Sequence, residues 1–201
     1  MTEATPRIDP LAPEHWDDDV RAALRSAYGE EVVQRFLLTG PDAFPPPNVL
    51  TTMLHHPALA GPWLVYSNVL LRTPVLEHRA RELMVLRVAW RTRSRVEWWQ
   101  HVQLAPRFGI ARDDIDAIAR GIDADSGSPL ERDLIAATDE LIDRYRIDDD
   151  TWGRLAEHLD ERQLVELVFV VGTYTCLAMA FNSWGLQLEP GTDTGTVPMP
   201  G

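Results

Sequence analysis

Apolar residues recur at three- and four-residue spacing through most of the chain, and no stretch alternates convincingly with period two. This pattern predicts an all-α protein, with LVFVV as its only strand-like run. Residues 14–28, EHWDDDVRAALRSAY, open with acids and keep a helical spacing up to Gly29, which predicts a first helix and a short second one ending at Phe36. Four prolines between residues 39 and 48 make that stretch a loop, since proline lacks the N–H that a helix interior uses. Helices are expected again at 48–55 and 57–71, with Pro57 and Pro62 tolerated near a helix start. Further helices are expected at 75–93, at 95–108 before Gly109, and over ARDDIDAIAR before Gly121. After the polar linker DADSGSP, Ser128 caps a helix with Pro129 at its first position, Thr151 caps a short one, and 161–188 ends the fold.

Two of these helices lack a clean polar face. Residues 75–93 read as buried among other helices. Residues 164–181, LVELVFVVGTYTCLAMAF, are nearly long enough to cross a bilayer. Glu166, Gly172 and three hydroxyl-bearing residues argue instead for a central helix buried all round, and for no membrane association. Cys176, inside this run, reads as structural. The expected organisation is an N-terminal helical extension with the proline-rich loop at 1–47, a helical domain at 48–188 and a flexible tail at 189–201, too poor in apolar groups to pack. Aligning Arg81 with Arg162 matches several apolar positions without gaps, pairs Ser94 with Thr175 and His101 with Asn182, and suggests an old duplication.

Composition narrows the function. At 201 residues and 45% apolar the chain is long enough for one well-buried domain, and a formal charge of -12 argues against nucleic acid as a partner. All nineteen basic residues are arginine, which removes Schiff-base lysine chemistry and a P-loop lysine. A single cysteine excludes an intramolecular disulfide. With no signal-like start in MTEATPRIDP, the expectation is a cytoplasmic protein.

The chemistry concentrates in SRVEWWQH, residues 94–101. Glu97 and His101 stand one turn apart on a face otherwise apolar, and Glu82 falls among Val85, Leu86 and Ala89. Titratable groups in apolar surroundings must find one another or a ligand, because an unpaired buried charge costs several kcal/mol. A histidine between carboxylates suits general acid–base work near neutral pH. A buried triad that pins two helices and a divalent-metal site are the other readings of the same residues, though the two-histidine set of a common zinc site is missing. Trp98, with Trp63, Trp90 and Trp99, offers either an aromatic wall or ordinary packing.

Residues 79–118, RARELMVLRVAWRTRSRVEWWQHVQLAPRFGIARDDIDAI, resemble the core of the carboxymuconolactone decarboxylase family, which also contains alkylhydroperoxidase D-like proteins. The resemblance rests on Arg81-Glu82, on Glu97-Trp98 followed by His101, and on Ala105, Gly109 and the acidic short helix. It implies a compact multi-helix subunit in homotrimers or homohexamers. In the peroxidase branch a Cys-x-x-Cys precedes the histidine; here Ser94 and Glu97 occupy those positions, so disulfide-based peroxide reduction is not expected. Glu82 and His101 match the proton-relay positions, and VEWWQH resembles the YEWxxH of the decarboxylase branch. The resulting expectation is a lyase-like enzyme without cofactor or metal, acting on a small unsaturated carboxylated or lactone substrate. His101, Glu97 and Glu82 are its expected catalytic residues, and Ser94, Trp98 and Arg91 its expected substrate contacts. An alkylhydroperoxidase-like antioxidant protein and a non-catalytic oligomeric binding protein are the alternatives.

Overall fold

The computed structural model describes residues 5–38, 45–121, 127–193 and 199–200. Residues 39–44 of the expected proline-rich loop, the 122–126 linker, and residues 194–198 and 201 of the tail lie outside the described residues. Among the described residues the protein is all-α, with no strand. The helices are α1 Asp18–Tyr28, α2 Glu30–Phe36, α3 Asn48–Met53, α4 Pro57–Arg72, α5 His78–Arg91, α6 Arg95–Leu104, α7 Arg112–Arg120, α8 Pro129–Arg144, α9 Asp149–Ala156 and α10 Glu161–Trp184. The LVFVV run is interior to α10.

Local chemistry explains where the boundaries moved. Asp17 accepts a hydrogen bond from Val20 N at 2.9 Å and so caps α1, leaving Pro13–His15 as a separate turn of 3₁₀ helix. Thr151 does not cap α9: Asp148 precedes that helix, and the Thr151 hydroxyl donates to Glu140 at 2.8 Å from inside it. The cap foreseen at Ser128 forms, with Glu131 closing a capping box. Gly185, at φ 65°, turns the chain out of α10 before Leu188.

Two compact units share the chain, one of residues 1–73 and 183–192, the other of 74–182 and 193–201. In the first, α1 packs on α4 so closely that a Cβ on Gly61 would lie 3.3 Å from Ala23. Phe36 meets Trp16 and Tyr28 edge-on at 6.4 and 6.5 Å between ring centres. In the second, α5 is central and packs on α6, α7 and α8, which is why it is buried continuously from Ala80 to Ala89. Leu83, Leu86 and Ala89 join Trp98, Val102, Ile115, Ile118 and Ile135 in one core.

Glu166 of α10 fastens the entry to α5. Its carboxylate accepts from Val75 N at 3.0 and 2.9 Å and from Leu76 N at 2.9 Å. Glu166→Gln turns an amide NH2 towards those donors and is expected to lower stability by about 1–3 kcal/mol. Urea unfolding with an unchanged slope checks this; a midpoint equal to wild type would show that the carboxylate is dispensable.

α10 departs from two expectations. It is not buried all round: Val165, Val168, Phe169 and Met179 are exposed, as is Cys176, which therefore is not a core residue. It is long and apolar enough to cross a membrane by composition, yet half of its most apolar window is inside the protein. Its unbroken course also contradicts the duplication, because the segment aligned with it breaks between α5 and α6.

Candidate active site

The break between α5 and α6 builds the site. α5 closes with Arg93 N bonded to Trp90 O at 3.1 Å and Ser94 N bonded to Ala89 O at 2.9 Å. This is a Schellman motif in which Arg93, at φ 57°, holds the left-handed position usually given to glycine. Ser94 then becomes the N-cap residue of α6 without spending its hydroxyl on the cap. The turn lays α6 back on α5, so that residues nineteen apart in sequence meet.

His101 Nδ1 lies 2.7 Å from Glu82 Oε1, with Glu82 fully buried and His101 nearly so. A carboxylate only accepts, so this contact places the ring proton on Nδ1 and leaves Nε2 with a free lone pair. Arg81 stands 3.5 Å from the other Glu82 oxygen and 5.5 Å above the Phe108 ring.

Glu97, 1% exposed, is one turn before His101. Burial drives its pKa well above the ordinary carboxylate value, and the nearby Ser94 hydroxyl offsets only part of that shift. Neither Glu97 oxygen nor Ser94 Oγ reaches a full hydrogen bond, though all three atoms are buried. A carboxyl whose protonated form is favoured by burial, without a full hydrogen bond and beside an oriented histidine, is placed to donate to an acceptor.

Tyr174 of α10 completes the cluster. Its ring meets His101 edge-on at 5.2 Å between centres. Burial raises the phenol's pKa; Arg81 lowers it, while Glu82 and Glu97 raise it further. The phenol therefore stays protonated.

The other expected contacts lie elsewhere. Trp98 is wholly enclosed in the core, its ring centre 5.0 Å from that of Trp90, and serves as packing. Arg91 is committed to α8, with NH1 2.6 Å from Asp139 and NH2 2.7 Å from Asp143. Arg81 is the arginine beside Glu82. Among the described residues no group of three or more His, Cys, Asp or Glu is placed to hold a metal ion.

The carboxymuconolactone decarboxylase family model matches residues 57–140, which include Glu82, Ser94, Glu97 and His101. That segment is similar to the carboxymuconolactone decarboxylase family, and the fold around it is that of alkylhydroperoxidase D-like proteins. Solved structures share this fold at low identity. An uncharacterised peroxidase-related protein from Ralstonia eutropha JMP134, with an alkylhydroperoxidase AhpD core, superposes with TM-score 0.71 at 16% identity, covering 93% of this chain and 95% of its own. The debrominase Bmp8, in complex with 2,3,4-tribromopyrrole, gives TM-score 0.70 at 14% identity, with 94% of each chain covered. A protein of unknown function from Agrobacterium tumefaciens, provisionally named an antioxidant defence protein AhpD, gives 0.59 at 18% identity, over 65% of this chain and 90% of its own. No curated protein matches the sequence.

Tyr174 lies outside the matched segment and was not singled out from sequence. A signal for it exists. Leu167, Val170, Val171, Tyr174, Ala178 and Phe181 form the buried stripe of α10, and a phenol in such a stripe needs a use for its hydroxyl.

Proposed function

We propose that the protein is a cytoplasmic acid–base enzyme needing no cofactor, which decarboxylates or moves a proton in a small unsaturated carboxylated or lactone compound. The observation that carries this reading is the buried His101–Glu82 contact at 2.7 Å with an unpartnered Glu97 one turn away. His101 Nε2 is the proton acceptor and donor, Glu82 fixes its tautomer and stabilises the imidazolium, and Glu97 supplies a neutral acid. Peroxide reduction by disulfide exchange is disfavoured, because Ser94 and Glu97 stand where the peroxidase branch has cysteines and Cys176 has no second thiol. Assembly into homotrimers or homohexamers is part of the proposal. Val165, Gly172 and Met179, with Phe169 and Cys176, are exposed at seven-residue spacing on α10, a seam that suits packing against other copies.

The test is a thermal-shift screen of unsaturated acids, lactones and flat heteroaromatics, halogenated pyrroles among them, followed by turnover assays on whatever binds. One class is expected to stabilise the wild type, with turnover reduced roughly 10²–10⁴-fold in His101→Ala. Binding without turnover, unaffected by that substitution, would instead support a binding protein. Steady thiol-dependent consumption of peroxide would overturn the reaction class.

A further inference from the structure

Beside the His101–Glu82 pair the site holds two further buried groups able to donate a hydrogen bond, Glu97 and Tyr174. Glu97 is 1% exposed and neither of its oxygens has a hydrogen-bond partner. Tyr174 is 6% exposed and enters from another helix, edge-on to His101 at 5.2 Å. His101 is thus flanked by a carboxyl one turn away on α6 and by a phenol from α10. A neutral carboxylic acid and a phenol beside a catalytic base form a donor pair known to stabilise an enolate oxygen.

The cations argue about the substrate's charge. Arg79 is held by Glu131 at 2.7 Å and Asp114 at 3.3 Å, Arg87 by Asp139 at 2.7 Å, and Arg91 by Asp139 and Asp143. Arg81 is engaged by Glu82 and lies over Phe108. A substrate carboxylate entering here would have to draw Arg81 away from Glu82. An uncharged carbonyl meets no such obstacle.

We propose that Glu97 and Tyr174 together hold the oxygen of an uncharged conjugated carbonyl, an enone or unsaturated lactone, while His101 moves a proton between two of its carbons. This rests on the acid–base reading above and selects its proton-transfer branch. His101 Nε2 takes the proton from a carbon next to the conjugated system. The C–H electron pair becomes a new C=C bond, and the negative charge settles on the oxygen held by the two donors. The imidazolium returns the same proton to a different carbon, so the net change is isomerisation and no oxidant or reductant is needed.

The probe is para-nitrophenol, whose oxygen imitates the enolate and whose visible absorbance reports its ionisation, with benzoate as the carboxylate comparison. Wild type should bind para-nitrophenol and not benzoate. Tyr174→Phe and Glu97→Leu should each weaken binding about 10- to 100-fold. Glu97→Gln, still a neutral donor of similar shape, should keep affinity within about threefold. The proposal falls if wild type does not bind para-nitrophenol, if benzoate binds as well, if Tyr174→Phe changes nothing, or if Glu97→Gln is as damaging as Glu97→Leu. A substrate whose turnover needs His101 but not Tyr174 would sink the donor pair and leave the acid–base reading standing. Donor-dependent binding without turnover of any conjugated carbonyl would do the reverse.

Discussion

Replacing Arg87 with methionine is expected to lower the stability of the fold by about 3 kcal/mol, the lower end of what breaking a buried ion pair costs. Arg87 is 7% exposed and ties three helices. Its Nε and NH2 each reach Asp139 of α8 at 2.7 Å, in a bidentate pair. Its NH1 donates to Ile118 O at 2.7 Å and to Ala119 O at 3.1 Å, where α7 exposes its last carbonyls. Methionine fills the same channel but leaves those carbonyls without a donor. Asp139 keeps Arg91 at 2.6 Å, so the cost stays at the lower end. For a chain of this length each kcal/mol moves Tm by roughly 2–4 °C. Calorimetry of Arg87→Met should therefore show a clear drop, while Arg144→Met, which removes an exposed pair with Asp148, should leave Tm in place. Equal transitions for Arg87→Met and wild type would mean that α7 is held by its apolar face alone.

The helices were legible because local signals decide them. Gly29 and Gly121 stop the predicted helices where the structure stops them, Gly109 closes a 3₁₀ turn that follows the earlier end of α6 at Leu104, and Ser128-Pro129 starts α8. The errors are physical rather than random. Thr151 looked like a cap because its hydroxyl suits one, but Glu140 of α8 claims it, a partner no local window contains. α10 reads as buried all round because its sequence has no polar face, yet a single chain covers only one side of it. The duplication looked credible from apolar spacing, which cannot show that Arg93 would turn the chain in one segment while the other runs on.

The site was legible where one helix carries it. Glu97 and His101 share a face of α6, and Glu82 faces the interior of α5, so their meeting follows from two buried polar faces. Arg91 and Trp98 show the limit of that argument. Both are near the site in sequence, but two acids of α8 and the Trp90 ring settle their contacts. Tyr174 was missed for the opposite reason, since it reaches His101 from seventy-odd residues away and nothing in the matched segment points to it.

Wild type and Glu97→Gln are expected to diverge steadily as pH rises. In the unfolded chain Glu97 titrates as an ordinary glutamate, near pH ~4.3. In the folded chain desolvation holds its pKa well above that value. Below the unfolded pKa both states keep the proton, and Glu97 imposes no penalty. Above it the unfolded chain releases its proton while the folded chain retains one, so wild-type stability falls with rising pH and levels off only beyond the folded pKa. The slope in that window is about 1.4 kcal/mol per pH unit. Glutamine has nearly the same shape and no proton to lose, so its stability lacks this component, and other groups cancel in the difference between the two proteins. Urea unfolding of both, from about pH 4 to about pH 8, reads that difference directly. Parallel curves, or a wild type that gains on the variant as pH rises, would mean that Glu97 ionises inside the fold. A widening gap in favour of glutamine would mean that the site keeps a protonated carboxyl at neutral pH, as a donor to a developing oxyanion requires.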